Sequence, residues 1–473
     1  MVETRTEREP RAARQRGRLL LAGVLLAALP LATGCQSGYR AYSGKLVAKL
    51  EAGDYAGASE LATDAAAKKK AVEATEATGP VVLYLLEAAR AAQLAGDLER
   101  SLSLFQRAQQ LMRPYLDAQA EAKITEAVAT TMVNQSVRIY VGTPSDRVMC
   151  SALYGLELMR AGDHDGGRVA LNLAADWQQE MQDRFAKQVE AAEAKAREEG
   201  VDRSSLEQAR TMLSSELANL DGFEAYESFG NPFVDHVRGV YYLTSGLDRN
   251  RARQLFRRTA AIAPTATEIV AGDLEWFDAP IPESGMTWVY FLTGLSPHLE
   301  ELRLDIPIPS SKVPYVAAAF PILKVEEDYL PFLEVVTAET STATVELADL
   351  ARVRTGEYKA TLGATIAQEI LIATLKATAT YTAGEAGGDW AKLAAIVWNA
   401  ASTSADTRSW RSLPRAVGVA RVPTPADGEL RFHAGREVGR AAVEPGTNNV
   451  VLVTLPATRT PVAAVSVIPI PRG

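Results

Sequence analysis

The chain is poor in the residues that most often mark chemistry: 473 residues contain two cysteines and four histidines. Two thiols cannot build a disulfide framework, and four histidines leave little for a metal cage. The histidines stand singly at 164, 236, 298 and 433, without the close pairing of zinc ligands. There is no Gly-x-x-x-x-Gly-Lys-Ser/Thr loop, no Gly-x-Gly-x-x-Gly fingerprint, no His-Glu-x-x-His and no Gly-x-Ser-x-Gly. Positive charge is also in deficit. Fifty Lys and Arg against 58 Asp and Glu leave a net charge of −8, whereas a nucleic-acid binder normally carries a basic excess. At 47% hydrophobic and 23% charged, the chain is nonetheless too apolar for disorder and has core material for two to three domains. These deficits predict no catalytic residue, no metal, no cofactor and no nucleic-acid partner.

The amino terminus is distinctive. Six arginines precede an apolar run from Leu19 to Leu29, followed by Ala32-Thr33-Gly34-Cys35. A basic segment, a short apolar core and small residues describe a secretory signal peptide, too short to span a bilayer as a helix. Gly34-Cys35 resembles the cleavage site of the bacterial lipoprotein lipobox. That resemblance implies acylation of Cys35, removal of residues 1–34 and a permanent membrane anchor. The position three before Cys35 is Ala32 rather than the usual Leu, and Ala32-Thr33-Gly34 also suits ordinary signal peptidase, which would release a free thiol. By the same resemblance, Gln36 after the cysteine favours the outer membrane of a Gram-negative cell. Loss of six Arg and three Glu takes the net charge from −8 to −11. Cys150, in an apolar helical context, reads as a buried, inert thiol.

Residues 35–279 read as helical hairpins. Leu85, Ala89 and Ala92 precede Gly96-Asp97, then Ser101, Phe105 and Ala108; Gly155 and Leu158 precede Gly162-Asp163, then Gly167, Leu171 and Ala174. Small residues where paired helices touch, with a large apolar residue behind them, follow tetratricopeptide (TPR) spacing. Two weaker units surround Gly53-Asp54 and Gly239 to Gly246. Unrelated antiparallel helices are the alternative. An insertion of about 175–226 reads as a charged helical hairpin projecting from the repeats, its outer face solvated.

Composition shifts near residue 279, for sixteen of 23 prolines lie at or after Pro280. That density excludes further helical repeats. Strands are expected at 286–292, 302–306, 332–336, 417–422, 429–433, 450–455 and 462–468, with helices at 358–381 and 389–402. The predicted whole is α+β and multidomain: TPR-like hairpins, then residues 280–473 as an antiparallel, sandwich-like domain with a helical pair.

Asn231-Pro232-Phe233-Val234, the stretch from Leu295 to Ile308, and Ala405-Asp406-Thr407-Arg408-Ser409-Trp410 before Leu413-Pro414 resemble an uncharacterised family of proteobacterial lipoproteins. The resemblance covers most of the chain beyond the signal and implies an envelope lipoprotein, with regulation of wall synthesis as its specific form. It implies no catalytic residue. Physically, Asp406, Arg408 and Trp410 read as a structural corner: an Asx turn, an ion pair or stacked guanidinium, and an indole packed on the sheet. An interaction epitope is the alternative.

The functional expectation is a lipid-anchored scaffold on the periplasmic side of the outer membrane. Its TPR-like groove would take a peptide of an envelope protein. The alternative is a carrier or accessory factor in export of polysaccharide or lipid, which requires an apolar cavity of roughly 300 Å³ or more in the second half.

Overall fold

The computed structural model describes residues 38–116, 139–198, 203–223, 230–279, 281–307, 315–387 and 404–470. The helical part holds four hairpins among these residues. They are α1 (38–51) with α2 (Tyr55–Lys68), α3 (Val81–Leu94) with α4 (Leu98–Met112), α5 (Pro144–Arg160) with α6 (His164–Glu198), and α8 (Pro232–Thr244) with α9 (Arg249–Ile262). Helix α7 (Arg203–Leu217) stands between the third and fourth, and α10 (Thr267–Glu275) follows the last.

One turn chemistry builds all four. Gly53, Gly96, Gly162 and Gly246 have φ of 73°, 80°, 88° and 68°, the left-handed region in which glycine ends a helix without a Cβ penalty. Asp54, Asp97, Asp163 and Asp248 then each accept the backbone N–H three residues ahead, capping the second helix. The contacts between paired helices follow the small-against-large pattern. A Cβ placed on Gly155 would lie 2.9 Å from the Gly167 carbonyl oxygen and 3.1 Å from Leu171, and one on Gly239 would lie 2.8 Å from the Phe256 ring. Ala89, Phe105, Ala108 and Ala174 are fully buried.

Three sheets follow. The five-stranded sheet runs β11 (Ala464–Ile470), β10 (Asn448–Leu455), β1 (Met286–Thr293), β7 (Ala416–Pro423), β6 (Val345–Asp349). A four-stranded sheet runs β5 (Ser341–Ala343), β4 (Glu334–Val336), β8 (Glu429–His433), β9 (Glu437–Ala442), and β2 (His298–Pro307) pairs with β3 (Tyr315–Lys324). The architecture is α+β. One pairing departs from the antiparallel expectation: β1 lies parallel to β10, Thr287 opposite Asn449. Two strands so far apart in sequence need no hairpin between them, so either direction is open to them.

Strand β1 is central and buried along its whole length. Its side chains alternate between two cores, as the period-2 geometry of a strand requires. Trp288, Tyr290 and Leu292 join the helical hairpins in one core; Val289 and Phe291 join Val451, Phe432 and Val335 in the space between the sheets. The molecule is therefore layered as helices, five-stranded sheet, four-stranded sheet. The change of element type near residue 279 holds, but the helical core runs without a break into β1, β7 and β10.

Several expectations are corrected. Helix α11 spans Leu350–Gly387, starting eight residues before the expected 358, because Asp349 accepts the N–H groups of Ala351 and Arg352 and caps it there. The second expected helix, 389–402, falls outside the described residues. Strands β3, β5, β6 and β9 are additions; β3 is rich in alanine and contains Pro321. The insertion at about 175–226 is not a solvated projection. Helix α6 continues unbroken into it, and Leu206, Ala209 and Leu213 of α7 pack with Phe320 of β3 and Ile366 and Ile370 of α11 in a separate small core.

Candidate functional site

A dense set of charged groups lies where segment 404–415 enters the helical array. Asp406 forms the expected turn, accepting the Arg408 N–H at 3.1 Å and both edges of its guanidinium at 2.8 and 2.6 Å. Burial opposes the Arg408 charge, but Asp406, with Tyr140 and Tyr39, more than offsets it and raises its pKa. The guanidinium also lies 5.6 Å from the centre of the Tyr140 ring. Trp410 is fully buried, 6.5 Å from the Phe105 ring, and its Nε1 donates to the Ser412 hydroxyl at 2.9 Å. So Asp406, Arg408 and Trp410 meet as a corner, and that corner docks on helices rather than only over the sheet.

The helices hold it with residues absent from the sequence expectation. Glu87 of α3 accepts the backbone N–H groups of Arg411 and Ser412 at 2.7 and 3.2 Å. Tyr39 of α1 donates to the Ser409 carbonyl at 2.6 Å, and Arg40 donates to the Thr407 hydroxyl at 3.2 Å. One turn beyond Glu87, Arg90 donates to the Ser412 carbonyl at 3.4 Å and to the Thr454 hydroxyl of β10 at 3.2 Å. Behind it, Glu157 of α5 accepts from Gln93, Ser101 and Arg160 at 3.1, 2.6 and 2.8 Å. Burial pushes Glu87 up to about 7 and Arg90 down to about 10. A usable signal existed: Glu87 and Arg90 are the two charges in the otherwise apolar run of α3.

A second knot joins α11 to the start of α5. Glu357 accepts from the Ser145 hydroxyl at 2.7 Å and from its backbone N–H, and Arg354 reaches the Ser145 hydroxyl at 3.0 Å and Asp146 at 3.5 Å. Burial raises Glu357 to about 7 as well. Below it, Arg415 donates to Asp349 and to the Glu326 carbonyl, both at 2.9 Å, stacked 4.2 Å from the Tyr329 ring centre.

The histidines stay apart. His236 lies between the Tyr290 hydroxyl at 2.7 Å and Asp273 at 3.0 Å, while Asp273 also accepts from Trp288 Nε1 at 3.0 Å. This Asp-His-Tyr alignment has relay geometry, yet all three side chains are fully buried, beyond the reach of a substrate. His298 pairs with Glu326 and His433 lies 3.8 Å from Glu437, both on the β side; His164 opens α6. Cys150 is buried, and burial pushes its thiol well up, away from the reactive thiolate.

These groups can hold surfaces together, each buried charge meeting a partner. The gap between β3 and α11, bounded by Ala318, Ile372 and Lys376, is about 10 Å³; a shallow surface concavity of about 380 Å³ lies between α2 and α4, beside Glu60 and Arg100. No helix of the described residues is long and apolar enough to cross a membrane. Gly34 and Cys35 lie outside those residues. Gly96, Gly155, Gly162 and Leu171 fall at the hairpin turns and contacts described above. All residues of α3 and α8 are buried. An open concave groove would leave such inner helices partly exposed. Here the five-stranded sheet and segment 404–415 pack against these helices. The chain matches no protein-family model, no curated protein and no solved structure.

Proposed function

We propose that this chain is a lipid-anchored envelope scaffold, tethered through Cys35 on the periplasmic side of the outer membrane, that works through its outer surfaces. The observation that carries the reading is the seam. Glu87, Arg90, Glu157, Arg354 and Glu357 are buried and committed to joining helices, segment 404–415 and sheet. Charged groups used in this way make a rigid body with defined outer faces; they do not converge on an open cleft. The lipobox resemblance supports the anchor. Helix α1 is described from residue 38, and three residues span at most about 10 Å however they are arranged. Acylated Cys35 would therefore hold α1 close to the bilayer.

We place partner binding on the outer faces rather than in a groove, because α3 and α8 are buried along their whole length. The carrier reading is less well supported: Phe291, Phe432 and Val453 fill the inter-sheet space where a lipid would have to lie. Regulation of wall synthesis remains the specific form of the proposal, and it rests on the family resemblance.

Two measurements test the proposal. Cys35→Ser should abolish acyl labelling and leave the precursor unprocessed; normal processing of that variant would refute the anchor. Site-specific photocrosslinking in intact envelopes should yield discrete protein adducts from outer-face positions. A full panel without adducts would refute the scaffold.

A further inference from the structure

Helix α9 runs against the charge balance of the chain. Its sequence, Arg-Asn-Arg-Ala-Arg-Gln-Leu-Phe-Arg-Arg-Thr-Ala-Ala-Ile, contains five arginines and no acidic residue in a protein of net charge −8. Ala252, Leu255, Phe256 and Thr259 form its buried face. Arg249, Arg253 and Arg257 fall on another face at i, i+4 and i+8, rising about 6 Å per step. Arg251 and Arg258, seven residues apart, form a second row on the other flank of the buried face.

Arginine helices that merely face water usually neutralise themselves with carboxylates one turn away. This chain does so elsewhere, as in Arg168 with Asp165 and Arg210 with Glu207. On α9, Arg258 alone has a carboxylate, Asp235 at 3.0 Å, and Asp235 is shared with the buried Arg238 at 3.7 Å. Among the described residues, no ion pair engages Arg249, Arg251, Arg253 or Arg257. On that second flank, burial, with Arg251 and Arg258, lowers the pKa of Arg238 against the opposing pull of Asp235.

The guanidinium groups are also held in place. Arg249 and Arg253 lie 5.2 and 4.7 Å from the Phe277 ring centre, and Arg251 lies 5.6 Å from that of Tyr242. Arg249 donates to the Trp276 carbonyl at 2.8 Å. Stacking on an aromatic ring fixes the guanidinium plane and leaves donor edges free for a carboxylate. Such pre-organised arginines are typical of binding hot spots.

We propose that the arginine face of α9 docks an acidic segment of a partner protein, its carboxylates spaced about 6 Å apart as on one face of a helix. The inference rests on the scaffold reading and gives it a surface. A membrane fits less well. Basic helices that bind lipid insert apolar residues beside their charges, whereas Leu255 and Phe256 are packed inward on α8.

The test uses the full mature chain and a fluorescent helical peptide carrying Glu at i, i+4 and i+8. Anisotropy should show binding that weakens with salt, and Arg253→Glu with Arg257→Glu should weaken it about tenfold or more. Arg257→Glu alone, at an exposed position without a hydrogen bond or ion pair among the described residues, should weaken it measurably without changing the melting temperature. Unchanged affinity in the double variant overturns the proposal. So does equal or tighter binding to phosphatidylglycerol vesicles or to polyphosphate. In envelopes, a photocrosslinker at Gln254 should give adducts that the double variant loses. Adducts from other faces but none from 254 would overturn the α9 assignment while leaving the scaffold standing.

Discussion

Glu87 and Arg411 are 324 positions apart, yet the Glu87 carboxylate accepts the Arg411 backbone N–H at 2.7 Å inside the protein. This contact ties the first half of the chain to the second. Glu87→Ala removes it and leaves the part-buried N–H of Arg411 and the buried N–H of Ser412 without that acceptor. An orphaned buried donor costs about 1–3 kcal/mol. Glu87→Ala should lose roughly 2–4 kcal/mol in urea unfolding, and Glu87→Gln distinctly less, since its amide oxygen can still accept.

The same residue gives stability an unusual pH dependence. Glu87 faces Tyr39 and Tyr42 of α1 and the Arg411 and Ser412 backbone; Glu357 faces Arg354, Asp146 and Ser145. Burial holds both at about 7 in the folded protein, against 4.5 as the ordinary value. Between those values the folded state binds more protons than the unfolded state, so stability falls as pH rises from 4.5 to 7 and is then level with respect to these groups. Each contributes up to ~3 kcal/mol of this slope. Groups with depressed pKa, such as Asp54 and Glu326, act in the opposite sense near and below 4.5. The double variant Glu87→Gln, Glu357→Gln should therefore flatten the wild-type profile between pH 5 and 7.5. A wild type that is more stable at pH 7.5 than the double variant's profile accounts for would contradict the assignment.

Trp410 fills the space beside Phe105 with no exposed surface. Trp410→Ala should cost about 3–5 kcal/mol, as emptying a large aromatic site does. Trp410→Phe should retain most of the packing and lose the indole hydrogen bond to Ser412. Denaturant midpoints of the two variants distinguish packing from hydrogen bonding.

Gly155 has no room for a methyl group. The nearest atom to an added Cβ is the Gly167 carbonyl oxygen at 2.9 Å, and backbone cannot swing aside. Alanine is the better helix former by about 1 kcal/mol, so a neutral site would gain from Gly155→Ala. Here the substitution should instead lower stability by about 1–3 kcal/mol, the usual cost of overpacking. A rise in melting temperature would show that α5 and α6 can separate freely.

The hairpin turns were legible because their chemistry is local. Gly96-Asp97 and Gly162-Asp163 carry both the left-handed residue and the cap within two positions, whatever surrounds them. Strands β1, β7 and β10 were legible from β-branched and aromatic density alone. Strand β3 was not, for Ala317 to Ala319 and Pro321 have low strand propensity and depend on the register with β2. The corner at Asp406 and Arg408 was readable from spacing, since an Asx turn and an i, i+2 ion pair need only adjacent residues. Its docking partners were not, because Glu87 and Tyr39 reach it across more than 300 positions.

Residue order alone therefore determined the helical and strand-rich halves, the hairpin turns, the buried character of Cys150 and the turn at Asp406, each arising within a few neighbouring residues. Tertiary structure decided what those elements face. It set β1 parallel to β10, drew the α6–α7 insertion into a core with α11, and laid the chain's own sheet against helices α3 and α8. Pattern shows which side of a helix is apolar; it does not show which surface will cover it, because that depends on segments brought together only when the chain closes on itself.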